Sequence, residues 1–146
     1  MDLEMKKNLA SNWFKILQDS ICHSIQELEK SNAIFQSRSW KRNHKKDEGG
    51  GEFRILKNGK VFDKVGVNFS KVYGKFPQKF KKNIPGTQKD PSFWASGISV
   101  VMHLKNPLIP AMHFNTRYIS TAYDWFGGGM DVTPSKIDKV EEKEFH

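Results

Sequence analysis

The chain has a single cysteine, Cys22, so no disulfide can close within it and no cluster of thiolates can hold a metal. Beside an apolar stripe, a lone cysteine reads as a small buried side chain. No segment reaches the ~20 uninterrupted apolar residues that a membrane-crossing helix needs. The amino terminus lacks the apolar core of a signal peptide, and the expected location is the cytoplasm. The glycine runs have neither the Lys and Ser or Thr of a phosphate-binding P-loop nor the spacing of a dinucleotide fingerprint, so the usual nucleotide signatures are missing. No internal repeat is present.

What is there suffices for a folded domain. In 146 residues, 37% hydrophobic and 12% aromatic content can fill a core, so residues 1–146 are read as one domain and disorder throughout is excluded. The 24 Lys and Arg against 16 Asp and Glu leave a net charge of +8. That sign favours a polyanionic partner: nucleic acid, an anionic membrane surface, or a small molecule with several carboxylates. Much of the excess lies in residues 41–46 and 71–82, where the plain reading is a solvated basic face.

From Leu9 onward, Leu9, Trp13, Ile16, Leu17, Ile21, Ile25 and Leu28 recur at helical spacing, which predicts a long amphipathic helix whose stripe packs on a sheet. Between Arg38 and Gly51 the pattern gives way to Lys, Asn, His and Asp and ends in three glycines, which predicts a mobile loop. Phe53 to Leu56 and Val61-Phe62 flank Lys57-Asn58-Gly59-Lys60, a strong hairpin signal, and Val65, Val67 and Phe69 continue with a period of two. Lys75 to Pro91 holds three prolines and predicts a long connection or a short helix. A helix followed by successive strands with short turns predicts an α+β fold with an antiparallel sheet.

Two later strands carry the chemistry. In Gly97 to Leu104, Ile98, Val100, Met102 and Leu104 alternate with Ser99, Val101 and His103; in Ala111 to Tyr118, Met112, Phe114 and Tyr118 alternate with His113, Asn115 and Arg117. If the strands are neighbours, Ser99, His103, His113, Asn115 and Arg117 share one face. Arg117 can grip a carboxylate through two N–H groups, Asn115 and Ser99 add neutral hydrogen bonds, and a histidine moves protons near neutral pH. Polar residues facing solvent on a half-exposed sheet would show the same alternation. Trp125 to Pro134 follows, with Gly127 to Gly129 permitting close approach to backbone and Asp131 just beyond. His103, His113 and His146, with Asp131, are candidate ligands for a metal, although their spacing fits no compact motif.

Taken together, the Gly97 to His103 segment, Asn106-Pro107, Pro110, His113, Asn115, Arg117-Tyr118 and the Trp125 to Pro134 block resemble the oxygen-dependent coproporphyrinogen III oxidases. Trp40, Arg42, Gly49 to Gly51 and Lys64 to Gly74 are similar to the same family in the same order, so the resemblance covers nearly the whole chain. It implies an antiparallel sheet flanked by helices, usually in a homodimer. The implied activity is oxidative decarboxylation of coproporphyrinogen III to protoporphyrinogen IX in haem biosynthesis, with dioxygen as co-substrate, no organic cofactor and no nucleic-acid partner. Carried over by position, Ser99, Asn115, Thr116 and Arg117 are substrate contacts, His113 transfers protons, and Asp131 faces the pyrrole nitrogens. His103, His113 and His146 match positions sometimes assigned to a divalent metal.

This sequence departs from the family at Leu104, where proline is usual, at Ser135 and Lys136 in place of two tyrosines, at Asp124 in place of tryptophan, and at Ile119-Ser120, near which an acidic residue is usual. Family chains also continue well past the position of His146. The expectation is therefore a truncated amino-terminal half, inactive alone, with an unpaired sheet edge that promotes association. Two other readings stand beside the enzyme: a basic module that holds nucleic acid with lysines and aromatic rings, and a folded remnant that binds nothing.

Overall fold

In the computed structural model, which describes residues 1–77, 79 and 83–135, Asp2 accepts a hydrogen bond from Met5 N at 2.8 Å and starts helix α1, Leu3–Glu29. Lys30 ends it in the left-handed conformation, at φ 47°. Six strands follow: β1 Gln36–Lys41, β2 Gly49–Lys57, β3 Phe62–Lys75, β4 Ser92–Leu104, β5 Ala111–Ser120 and β6 Asp124–Thr133. They form one sheet in the order β1-β2-β3-β4-β5-β6, with every neighbouring pair antiparallel. The α+β expectation holds. Of the flanking helices expected, α1 is the one present among the described residues.

Helix α1 lies across β3 and β4 and meets the core through Leu17, Ile21 and Ile25 of the predicted stripe, but not through the rest of it. Leu9, Trp13, Ile16 and Leu28 are more than half exposed, whereas Ala10, Phe14, Cys22 and Ile25 are buried with Gln18 and Glu29 between them. The helix is apolar on two sides, so spacing alone did not select a face. The sheet settles it, because Gln18 donates to two backbone carbonyls, Glu52 O at 3.0 Å and Val67 O at 3.1 Å, which only the Phe14 side can reach. Beneath α1, Leu56, Val65, Val67, Ile98, Val100 and Tyr118 complete the core. Burying Phe14 contributes about 1.5–3 kcal/mol. Cys22 is buried, and burial raises its thiol pKa, opposed by Arg54, which fits an inert packing residue.

The Asn58-Gly59 hairpin forms as expected. Asn58 sits at φ 57°, Asn58 N donates to Asp63 O, and Gly59 N donates to Phe62 O, each at 2.9 Å. Glu29, 1% exposed at the end of α1, caps this turn by accepting from the backbone N–H groups of Lys60, Val61 and Phe62. Burial pushes its carboxyl up, but hydrogen bonds from Phe62 N, Ser31, Lys60 N and Val61 N outweigh that and leave it below the ordinary value.

The segment predicted as a loop is partly strand, and a second glycine run is strand as well. Residues 38–41 belong to β1 and 49–51 open β2, which confines the loop to residues 42–48. The Gly127 to Gly129 run is the middle of β6. Glycine has poor intrinsic strand propensity, and ladder pairing with the neighbouring strand overrides it in both places.

Candidate active site

Because successive side chains in a strand point to opposite faces, covering one face of β3 and β4 with α1 leaves the other bare. The antiparallel register fills that bare face in rows. One row runs Gly66, Val101, His113, Asp131; the next runs Asn68, Ser99, Asn115, Gly129; the third runs Ser70, Gly97, Arg117, Gly127. Ser99, His103, His113, Asn115, Arg117 and Asp131 therefore share one face. Thr116 does not: it pairs with Ile98, so its side chain is directed to the helix side.

His113 is the hub. Its Nε2 lies 3.3 Å from Ser99 Oγ on β4, and its Nδ1 lies 3.1 Å from Asp131 Oδ2 on β6. A carboxylate accepts but cannot donate, so it selects the tautomer with hydrogen on Nδ1 and leaves Nε2 as a base facing the Ser99 hydroxyl. The side chains of His113 and Asp131 are 39% and 62% exposed, so a ligand can reach both. Two rows along, Arg117 donates to Asn115 Oδ1 at 2.7 Å, which steadies an exposed guanidinium beside the chain of Ser99, His113 and Asp131. Such a guanidinium is suited to a carboxylate.

The floor around them is low. A Cβ on Gly129 would meet nothing within 4 Å, so packing does not demand glycine there; the bare position instead leaves space over Asn115 and Asp131. Gly97 is different. A Cβ there would come 2.5 Å from Thr116 O, and glycine is what lets β4 and β5 approach. Val101, 40% exposed among the polar residues, makes the face amphiphilic. Asn68 and Trp40 also belong to this face, with Trp40 Nε1 donating to Asn68 Oδ1 at 2.9 Å. Asn68 was not singled out from sequence, although the alternation of Val65, Val67 and Phe69 already put it opposite the core.

The far end of β6 is tied to the helix. Tyr118 donates to Asp124 Oδ2 at 2.8 Å, and Lys6 Nζ lies 3.0 Å from the same oxygen. Burial, then the hydrogen bond to Asp124, pushes the Tyr118 phenol up to about 12, so it stays a neutral donor; Tyr118 and Lys6 together lower the Asp124 carboxyl. Asp124, one of the departures noted from sequence, thus holds the strand that carries Asp131.

His103 stands on the same face as His113, displaced along β4. His146 lies outside the described residues, and among the described residues no three His, Cys, Asp or Glu side chains converge as metal ligands. The described residues do not build a metal site.

Fold and site together define a class: an α+β protein with a hydrogen-bonded Ser99, His113 and Asp131 chain and an exposed arginine on the open face of an antiparallel sheet. Residues 9–146 match the model of the coproporphyrinogen III oxidase family, and the chain belongs to that family. It is 48% identical over 148 residues to the oxygen-dependent coproporphyrinogen-III oxidase of Rickettsia felis, a match covering 96% of this chain and 52% of that relative. To the protein of the same name from Rickettsia africae it is 47% identical over 154 residues, covering 100% of this chain and 53% of the relative. The chain spans about half the length of the curated relatives it matches. Among the described residues no helix is long and apolar enough to cross a membrane.

Proposed function

We propose that the bare sheet face binds coproporphyrinogen III and takes part in its dioxygen-dependent conversion to protoporphyrinogen IX. The observation that carries this reading is the chain from Ser99 through His113 to Asp131, set beside Arg117 on an open, glycine-floored surface in a member of this family. The substrate is a large apolar ring edged by four carboxylates. It needs a flat amphiphilic floor and a cation at its edge. Gly127, Gly129 and Val101 provide the floor, and Arg117 the cation.

Each of the two reacting propionate arms must lose carbon dioxide and a hydride equivalent. The balance per arm is one propionate carboxylate, one dioxygen and one proton giving one vinyl group, one carbon dioxide and one hydrogen peroxide. Dioxygen takes the electron pair, so no organic cofactor is needed. Removing a pyrrole N–H proton makes the ring a better electron donor, and His113 Nε2, unprotonated in the Asp131-paired tautomer, is the base that would take it once the Ser99 hydroxyl gives way. Asp131 stabilises the imidazolium that results, and its exposed second oxygen is free to hold a pyrrole N–H. Ser99 Oγ orients the same nitrogen. In this reading Asn115 and Arg117 hold a propionate that does not react. Work in the cytoplasm and pairing into a homodimer complete the proposal, on the strength of family membership.

The test is turnover. Coproporphyrinogen III is bound to the protein under anaerobic conditions, air is admitted, and vinyl product and peroxide are measured. Product that disappears in His113→Ala supports the assignment, and product formed at an unchanged rate by His113→Ala removes it.

A further inference from the structure

On the other side of the sheet, an open cleft of about 850 Å3 lies between α1, the outer strands β1 to β3 and the loop 42–48. Five lysines from separate parts of the chain line it: Lys15 from α1, Lys41 from β1, Lys71 from β3, and Lys45 and Lys46 from the loop. Lys41 and Lys71 flank Gly50 in one row, so no side chain stands between them on the floor. None of the five forms a salt bridge among the described residues, although Lys41 is near enough to Asp47 to lower its carboxyl. Lys15 only lies over the Phe69 ring, 5.6 Å from its centroid.

The acidic residues of the same lining are already engaged. Asp19 and Glu52 bind Arg54, at 2.6 and 2.5 Å. Asp47 accepts from Gly49 N at 3.2 Å and from the Tyr73 hydroxyl. Arg54 is consumed by its two carboxylates, so the cations left to face the cleft are lysines alone. Like charges gathered this way oppose folding unless an anion joins them.

We propose that this cleft is a binding site for a small oligophosphate, separate from the sheet-face site. The choice of phosphate over carboxylate rests on the cation chemistry. A planar carboxylate is best held by the paired N–H groups of arginine, and the only arginine lining this cleft is spent; ammonium groups converging from several directions suit the tetrahedral oxygens of phosphate. Residues 41–46 and Lys71, read from sequence as a solvated basic face, thereby acquire a common ligand.

The experiment titrates tripolyphosphate into the full chain at about 0.15 M salt, where diffuse surface attraction is screened within ~8 Å. Calorimetry and thermal unfolding are read in parallel. Saturable one-to-one binding that raises the unfolding midpoint is expected, weakened by about tenfold or more in Lys41→Ala/Lys71→Ala. Lys57→Ala/Lys105→Ala, outside the cleft, and Arg117→Ala, on the opposite face, should bind as the parent does. Absence of saturation, equal weakening in the Lys57/Lys105 pair, or loss in Arg117→Ala overturns the proposal. A single-stranded oligonucleotide that binds more tightly than tripolyphosphate, through the same lysines, also overturns it in favour of a nucleic-acid track.

Discussion

His113 and Asp131 are direct partners in the β5–β6 ladder, with Nδ1 and Oδ2 3.1 Å apart. Asp131 therefore acts on the imidazole before it acts on any ligand. Its carboxylate fixes which ring nitrogen carries the proton, and the other nitrogen is left for Ser99 or for a substrate. Nitrogen NMR of the chain should show His113 protonated at Nδ1 when neutral. In Asp131→Ala that preference should vanish, and in turnover Asp131→Asn should lower the rate by about 10²–10⁴-fold, because an amide can donate to Nδ1 and select the wrong tautomer. An unchanged His113 tautomer in Asp131→Ala would show that another group sets it.

Arg117 and Thr116 are adjacent in sequence and opposite in consequence. Arg117→Ala should weaken coproporphyrinogen III binding by about 1.5–3 kcal/mol, the range for a charge-assisted contact. Thr116→Val, on the helix side of the pleat, should leave affinity alone. Fluorescence titration of both variants checks this, and equal losses would contradict the strand register.

The glycines of the site separate into two kinds. Gly129→Val should fold, since nothing lies within 4 Å of its Cβ position, yet its isopropyl group would stand on the floor and block a flat ring. Gly97→Ala should fail differently, losing about 1–3 kcal/mol or more of stability as the methyl meets Thr116 O. Denaturant unfolding and ligand binding measured on each variant distinguish the two.

Much of this site was legible from period-two alternation. Ser99, His113, Asn115 and Arg117 fall on one face as soon as two strands are recognised, and Asn58-Gly59 announces its own hairpin. The Asp131 contact was not legible, because a glycine run hides the strand that carries it. Propensity is local, and the pairing of β6 with β5 is not. The same limit applies to α1: Leu9 and Trp13 continue an acceptable apolar stripe, and only the carbonyls of Glu52 and Val67, distant in sequence, turn Gln18 and Phe14 inward. Thr116, the middle residue of the motif carried over with Asn115 and Arg117, points to the other side of the pleat.

Glu29 gives the fold a pH signature. Its carboxyl is held below the ordinary value near 4.5, so the stability it contributes is complete above that pH and is lost as pH falls through the lower folded-state value. Glu29→Gln should cost about 1–3 kcal/mol near neutrality, since an amide accepts less well from three backbone donors, and should flatten the acid limb of the stability curve. Urea unfolding between pH 3 and pH 7 checks this, and parallel curves for parent and variant would deny the cap its role.

The central claim is that the bare face of the sheet recognises coproporphyrinogen III. The direct measurement is anaerobic titration of coproporphyrinogen III against the parent chain, Arg117→Ala and Gly129→Val, followed by tryptophan fluorescence. Saturable binding by the parent that weakens sharply in both variants is the predicted result. Failure of the folded parent to bind, or binding that both variants retain in full, would contradict the account.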